Sequence, residues 1–298
     1  MVWVENTADR QDIFFTQSRD GGESFAPPRN LSGGTGWNFL PQLAVDAKGN
    51  ITVVWVNTGA EHQGIWLTHS DDAGASFAAP RNLCPHARRA TQPCLAVDAN
   101  GNIHMAWRDM SADRSQVFYA RSTDAGKTFS APQGVSATLL GPCVHPHLAV
   151  DAQGNVYLVW QQCPGTKPEI WFSYSRDSGA SFSQPHNLSG TRGTSRIFAH
   201  WAPLVATPAG NVSVVWMDDT GGQFDILFTH SDDAGQSFCP PLNVSQSRGA
   251  SKFAWVAMDA EGTSYVVWQD DSWGQGDIMF ARLITQSSRP SAPVLGRR

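Results

Sequence analysis

Seven acidic residues lie in segments that break the regular patterning of the chain: Glu5, Glu61, Asp109, Asp218, Asp219, Asp270 and Asp271. Two carboxylates brought to the same bond can work as general acid and general base, and Asp109, Asp218 and Asp270 are the catalytic candidates. Comparable segments carry Arg88, Arg89, Arg108, Arg192, Arg196 and Lys252. An arginine fork there would hold a carboxylate or sulfate through two parallel hydrogen bonds. Trp37, Phe39, Phe198, Trp201, Phe253 and Trp273 offer flat faces suited to stacking on sugar rings. The expected ligand-binding set is Trp37, Arg89, Arg108, His145, Arg196, His200, Trp201, Lys252 and Trp273. Each type also has a plainer reading. Asp218 and Asp270 open Asp-Asp pairs at equivalent repeat positions, which favours a structural origin, and surface arginines neutralised by Asp109 or Asp218 need no ligand.

The five cysteines suggest two crosslinks. Cys84 and Cys94 bracket one loop, and Cys143 and Cys163 flank a hairpin turning at Gln153-Gly154, so both pairs are expected to be close enough for disulfides, which would indicate an oxidising compartment. Cys143, His145, His147 and Cys163 also make a zinc site conceivable, but the His-x-His spacing is that of alternate strand residues rather than of a known finger. No metal and no cofactor is expected. Cys239 reads as a small buried apolar residue.

The elements that must position these side chains come from a repeat. A Trp ending an apolar run recurs at Trp3, Trp55, Trp107, Trp160, Trp216 and Trp268. A second series, Ser-x-Asp-x-Gly-x-Ser/Thr-Phe, starts at Ser18, Ser70, Ser122, Ser175 and Ser231. A repeat of this length decides the fold. Each unit divides into four short apolar runs, in the second unit Leu43–Asp46, Ile51–Val56, Ile65–His69 and Ser76–Leu83, the strand pattern. Asp46-Ala-Lys-Gly-Asn50 and its copies at Asp98 and Asp151 are tight hairpin turns, since Gly and Asn accept positive φ. The Ser-x-Asp-x-Gly box turns the third strand into the fourth, with the Asp side chain bonding backbone N–H groups further on. Asp20, Asp72, Asp124, Asp177 and Asp233 are therefore structural.

Runs such as Ile51-Thr-Val-Val-Trp55 are apolar at nearly every position, so both sheet faces must be covered, as when sheets stack radially. The expectation is one all-β domain over residues 1–298, a six-bladed β-propeller of four-stranded antiparallel blades at about 1–32, 33–84, 85–136, 137–189, 190–245 and 246–298. The sixth unit keeps its fourth strand and loses its box. The first opens at its second strand and lacks the inner one. A trimmed start is expected, and the missing segment is where a signal peptide would lie. Boxes and Asp-Ala-x-Gly-Asn turns share one end of the blades, so the candidate residues share the other, where variable loops carry function. With 21 basic against 26 acidic residues and no Lys/Arg run, nucleic acid is not expected as a partner. No apolar stretch reaches the roughly 18 residues of a membrane span.

Motif and unit length resemble the Asp-box, or bacterial neuraminidase repeat, family, best known for exo-α-sialidases with a six-bladed propeller. The resemblance covers essentially the whole chain and implies the fold more strongly than an activity. Sialidases hold the sugar carboxylate with three arginines, the first usually in an Arg-Ile-Pro motif near the N-terminus. Here only Arg196-Ile197-Phe198 echoes it. They also use a Tyr nucleophile with a carboxylate base, whereas Tyr119, Tyr157, Tyr174 and Tyr265 all sit toward the box end. The expected function is glycan or glycoconjugate binding by a monomer that is secreted, periplasmic or on the cell surface. A glycoside hydrolase of exo-α-sialidase type with diverged motifs is the alternative, and a protein-interaction scaffold a further one.

Overall fold

A computed structural model describes residues 1–6, 9–34, 36–59, 63–84, 89–110, 115–139, 141–163, 168–190, 203–274, 276–286, 289–290 and 294–297. The chain forms two compact units, Met1–Gln133 and Gly134–Arg298. In the first, β1 (Val2–Asn6), β2 (Gln11–Phe15) and β3 (Arg29–Asn30) form a three-stranded sheet. Next come β4 (Asn38–Val45), β5 (Ile51–Asn57), β6 (Gly64–Ser70) and β7 (Arg81–Asn82), then β8 (Ala90–Val97), β9 (Ile103–Asp109), β10 (Gln116–Ser122) and β11 (Gln133–Gly134). Both are antiparallel sheets with the strands in chain order.

The second unit repeats the plan. Its sheets are β12 (Cys143–Val150), β13 (Val156–Gln162), β14 (Glu169–Ser175) and β15 (His186–Asn187), followed by β16 (Leu204–Ala206), β17 (Val212–Asp218), β18 (Asp225–Ser231) and β19 (Leu242–Asn243). The last joins β20 (Ser251–Met258), β21 (Ser264–Asp270) and β22 (Asp277–Leu283) to β25 (Val294–Arg297), beside a small ladder of β23 (Thr285–Gln286) and β24 (Arg289–Pro290). Six sheets, one per repeat with the first a strand short, are the blades of a six-bladed propeller. The repeat tryptophans form the core: Trp55, Trp107, Trp160, Trp216 and Trp268 are all at most 2% exposed. Strands β5, β13 and β17 are buried at every residue. In the last sheet one face stays open, with the aligned row Trp255, Val267 and Phe280 between 37% and 48% exposed, contrary to the expectation that both faces of every sheet are covered.

The box turns close on themselves. Asp124 accepts hydrogen bonds from Ser122 Oγ at 2.7 Å, Thr128 N at 2.9 Å and Thr128 Oγ1 at 2.6 Å, while Ser122 Oγ accepts from Gly126 N. The same set recurs around Asp72, Asp177 and Asp233. Donors from Thr128 and Ser122 hold the Asp124 carboxyl down at about 2, and those from Ser76 and Ser70 do the same for Asp72.

A feature absent from the sequence reading recurs in four inner strands. Each carries one extra residue with positive φ, a β-bulge: Leu40 (52°), Gln92 (51°), His145 (53°) and Phe253 (56°). Pro41, Pro93 and Pro146 follow three of them, as suits a residue that cannot donate to a ladder. The bulge explains why Cys143 and Cys163 form no disulfide. It moves Cys143 opposite Gln162, while Cys163 N bonds Pro142 O. Adjacent strand residues point to opposite faces, so the two thiols diverge. Cys84 and Cys94 are likewise thiols. Cys84 is buried among Val54, Ile65 and Leu67, where burial pushes its thiol up to about 12, and Cys94 Sγ bonds Ala106 O at 3.5 Å. These cysteines therefore carry no argument for an oxidising compartment. Cys239 is only partly buried, 3.9 Å from His230 Nε2.

Two outcomes follow from this geometry. A β-branched side chain at positive φ is strained whereas glycine is not, so Gln92→Val should be less stable than Gln92→Gly by about 2 kcal/mol in urea unfolding. The second concerns acid. His104 is fully buried between Tyr119 OH at 2.7 Å and Asp98 Oδ2 at 3.4 Å, and burial lowers its pKa. The unfolded chain then binds the proton more readily, so stability is complete above about pH 6.5 and declines below it. The depressed box carboxylates contribute above about pH 4 and lose that contribution as pH falls further. Thermal midpoints should fall in two steps, and His104→Gln should reduce the slope of the first, by at most about 1.4 kcal/mol per pH unit, while leaving the second.

Candidate functional site

In the first unit the sheet ends opposite the boxes enclose a cleft of 470 Å³ between β4–β7 and β8–β11, lined by Phe39, Val56, Asn57, Thr58, Gln63, Arg89, Ala90, Thr91 and Met110. Its rim is braced from below. Asn38 is fully buried and its Oδ1 accepts from Trp55 Nε1 at 2.9 Å and Asn57 Nδ2 at 2.8 Å, while its Nδ2 donates to Gln11 O. Thr58 N bonds Trp37 O, which fixes the loop that presents Phe39 to the cleft. Trp37 itself is 47% exposed.

Strand register gathers three expected residues at this end. Arg108 lies opposite Thr91, Asp109 opposite Ala90, and Met110 N bonds Arg89 O. Arg89 is exposed and lines the cleft, whereas Arg108 and Asp109 are half-buried. Alternation puts Arg89, Thr91 and Arg108 on one face of the sheet and Asp109 on the other. The site thus offers an apolar floor with an exposed guanidinium at its edge, an arrangement that can cradle a sugar ring and an acidic substituent.

The expected residues of the second unit fare differently. Lys252 is paired with Asp271 at 3.1 Å. Asp270 is fully buried and accepts from Ser251 Oγ at 2.7 Å and Ser272 N at 2.9 Å. Although burial opposes it, donors from Ser272, Ser251 and Ser247 keep its carboxyl below the usual range, the reverse of what a general acid requires. Asp218 is 3% exposed and lines a separate pocket with Asp225. His145 occupies a bulge and Trp273 is 55% exposed. Arg196, His200 and Trp201, with Glu61, Arg88, Arg192 and Phe198, lie outside the described residues. Among the described residues no group of three His, Cys, Asp or Glu side chains converges as a metal site.

The tyrosines all lie at the box end. Tyr119 and Tyr157 are at most 1% exposed. Tyr157 OH donates to Asp151 Oδ2 at 2.7 Å and Tyr265 OH to Asp259 Oδ2 at 2.9 Å. Burial raises the Tyr157 phenol and the bond to Asp259 raises that of Tyr265. Tyr174 is paired with Tyr157 in register and stacks under Arg176. Sequence reasoning found Arg89, Trp37 and Phe39 but missed Asn57, Thr58, Thr91 and Met110. The Leu40-Pro41 and Gln92-Pro93 dipeptides that mark the bulges were the available signal.

Among solved structures, a Hadza microbial sialidase is 16% identical with a TM-score of 0.55, covering 87% of this chain and 58% of its own. The intramolecular trans-sialidase from Ruminococcus gnavus is 10% identical with a TM-score of 0.60, covering 88% and 83%. A polysaccharide lyase, ulvan lyase, solved bound to a GlcA–Rha3S unit is 14% identical with a TM-score of 0.62, covering 96% and 77%. The chain thus spans less than two thirds of the sialidase. No curated protein matches it. Among the described residues no helix is long and apolar enough to cross a membrane. A family model, the BNR repeat-like domain, matches residues 1–266, so the chain, with its sialidase-like six-bladed propeller fold, belongs to the BNR repeat-like domain family.

Proposed function

We propose that this chain is a glycan-binding propeller that takes acidic sugars at the blade ends opposite the Asp boxes and does not cleave sialosides. The observation that carries this reading is the position of the tyrosines. A retaining sialidase needs a phenol or phenolate within bonding distance of the anomeric carbon, and all four tyrosines of the chain lie at the box end, two of them donating to carboxylates. Binding is supported by the cleft that joins Phe39 to Arg89, and by neighbours described as sialidases or as a lyase bound to a uronic-acid-containing unit. All six blades act as one monomeric domain in this reading, and the protein works outside the cytoplasm.

A hydrolase that uses a carboxylate instead is the second reading. Asp109 favours it, being the one catalytic candidate that is only half-buried and next to a residue that lines the cleft. Calorimetry with acidic oligosaccharides and a fluorogenic sialoside assay separate the two. The purified chain should bind and not turn over. Arg89→Ala should weaken binding about tenfold or more, Arg196→Ala and Trp201→Ala should also weaken it, and Asp124→Ala should lower stability without changing affinity. Sialoside hydrolysis abolished by Asp109→Asn would establish the second reading instead.

A further inference from the structure

We propose that the loop joining β17 to β18, residues 218–225, binds a hard divalent cation of the calcium type. Its sequence is Asp-Asp-Thr-Gly-Gly-Gln-Phe-Asp, and the ladder sets its first and last residues directly opposite each other, Asp218 against Asp225. Two like charges facing across an antiparallel pair are destabilising unless something compensates them. Neither has a basic partner among the described residues. Asp218 is 3% exposed. Its Oδ1 accepts from Thr220 N at 2.8 Å and from Thr220 Oγ1, and its buried Oδ2 has no hydrogen-bond partner among the described residues. A buried carboxylate oxygen left without donor or cation is costly.

The surrounding shape fits an ion. Asp218, Thr220, Gly221, Asp225 and Asn243 line one pocket of 420 Å³. Asp225 Oδ1 accepts from Ser245 Oγ at 3.2 Å, and its Oδ2 faces the loop, where a methyl on Gly221 would sit 3.6 Å away. Calcium accepts two carboxylates completed by hydroxyl, amide and backbone oxygens and by water, and tolerates flexible geometry. The pocket offers carboxylate, hydroxyl and amide oxygens and neither Cys nor His, a donor set for a hard cation rather than a softer metal. The neighbouring hairpin supplies the contrast. Asp270-Asp-Ser-Trp-Gly-Gln-Gly-Asp277 has the same spacing and the same facing pair, yet Ser251 Oγ and Ser272 N satisfy Asp270 and Lys252 lies against Asp271. With a cation bound, Asp218 is a ligand and is not available as a catalytic acid.

Titration of CaCl2 into chelator-treated protein should show about one ion per chain, with a rise in thermal midpoint of about 5 °C near saturation. Asp218→Asn and Asp225→Asn should each weaken the affinity about tenfold or more, while Asp233→Ala should leave it unchanged. If Asp218→Asn does not fold, the half-buried Asp225 carries the test. Absence of binding by the parent chain, or binding that survives both substitutions, overturns the proposal.

Discussion

The constraint on which the rest of the structure depends is burial on both faces of the second strand in the blades that contain β5, β13 and β17. In β5, β13 and β17 every residue is buried, so neighbouring sheets meet face to face and the side chains between them are committed to packing. A ligand has no access to such a strand along its length. Chemistry is confined to strand ends and loops, and the repeat gives the two ends opposite characters. Deleting one of the buried indoles would leave a cavity costing about 3–5 kcal/mol, which explains why the Trp at this position recurs in every unit while the loops vary.

In the box turns, polar groups are satisfied within a few residues of one another. Asp and Ser/Thr side chains take up the backbone N–H groups of their own turn. At the other end the inner strands bulge, and bulges re-aim side chains where function requires it. There the cleft beside Arg89 opens, and there one carboxylate pair, Asp218 and Asp225, stands without a counter-charge among the described residues.

What could be read from the sequence followed from locality. The boxes and the Asp-Ala-x-Gly-Asn turns span five to eight residues, and their hydrogen bonds run between positions two to four apart, so pattern alone specifies them. Strand order follows from turns that short. The bulges were not anticipated because one extra residue shifts the register without changing the apolar pattern, and that single shift moved Cys143 opposite Gln162 instead of Cys163. Arg89, Arg108 and Asp109 were found because they sit at the ends of readable strands. The partnership of Asp218 with Asp225 was missed because it depends on a cross-strand pairing rather than on either residue alone, although the matching spacing of Asp270 and Asp277 was there to see.

The central claim is that ligand is taken at the end opposite the Asp boxes. Hydrogen–deuterium exchange of the full chain, with and without a panel of acidic oligosaccharides that includes sialyllactose, addresses it directly. Slowed exchange at residues 37–39, 56–58 and 89–91, with unchanged exchange at the box segments 70–76 and 122–128, is the predicted result. Protection at the boxes, or at neither end for every member of the panel, would contradict it.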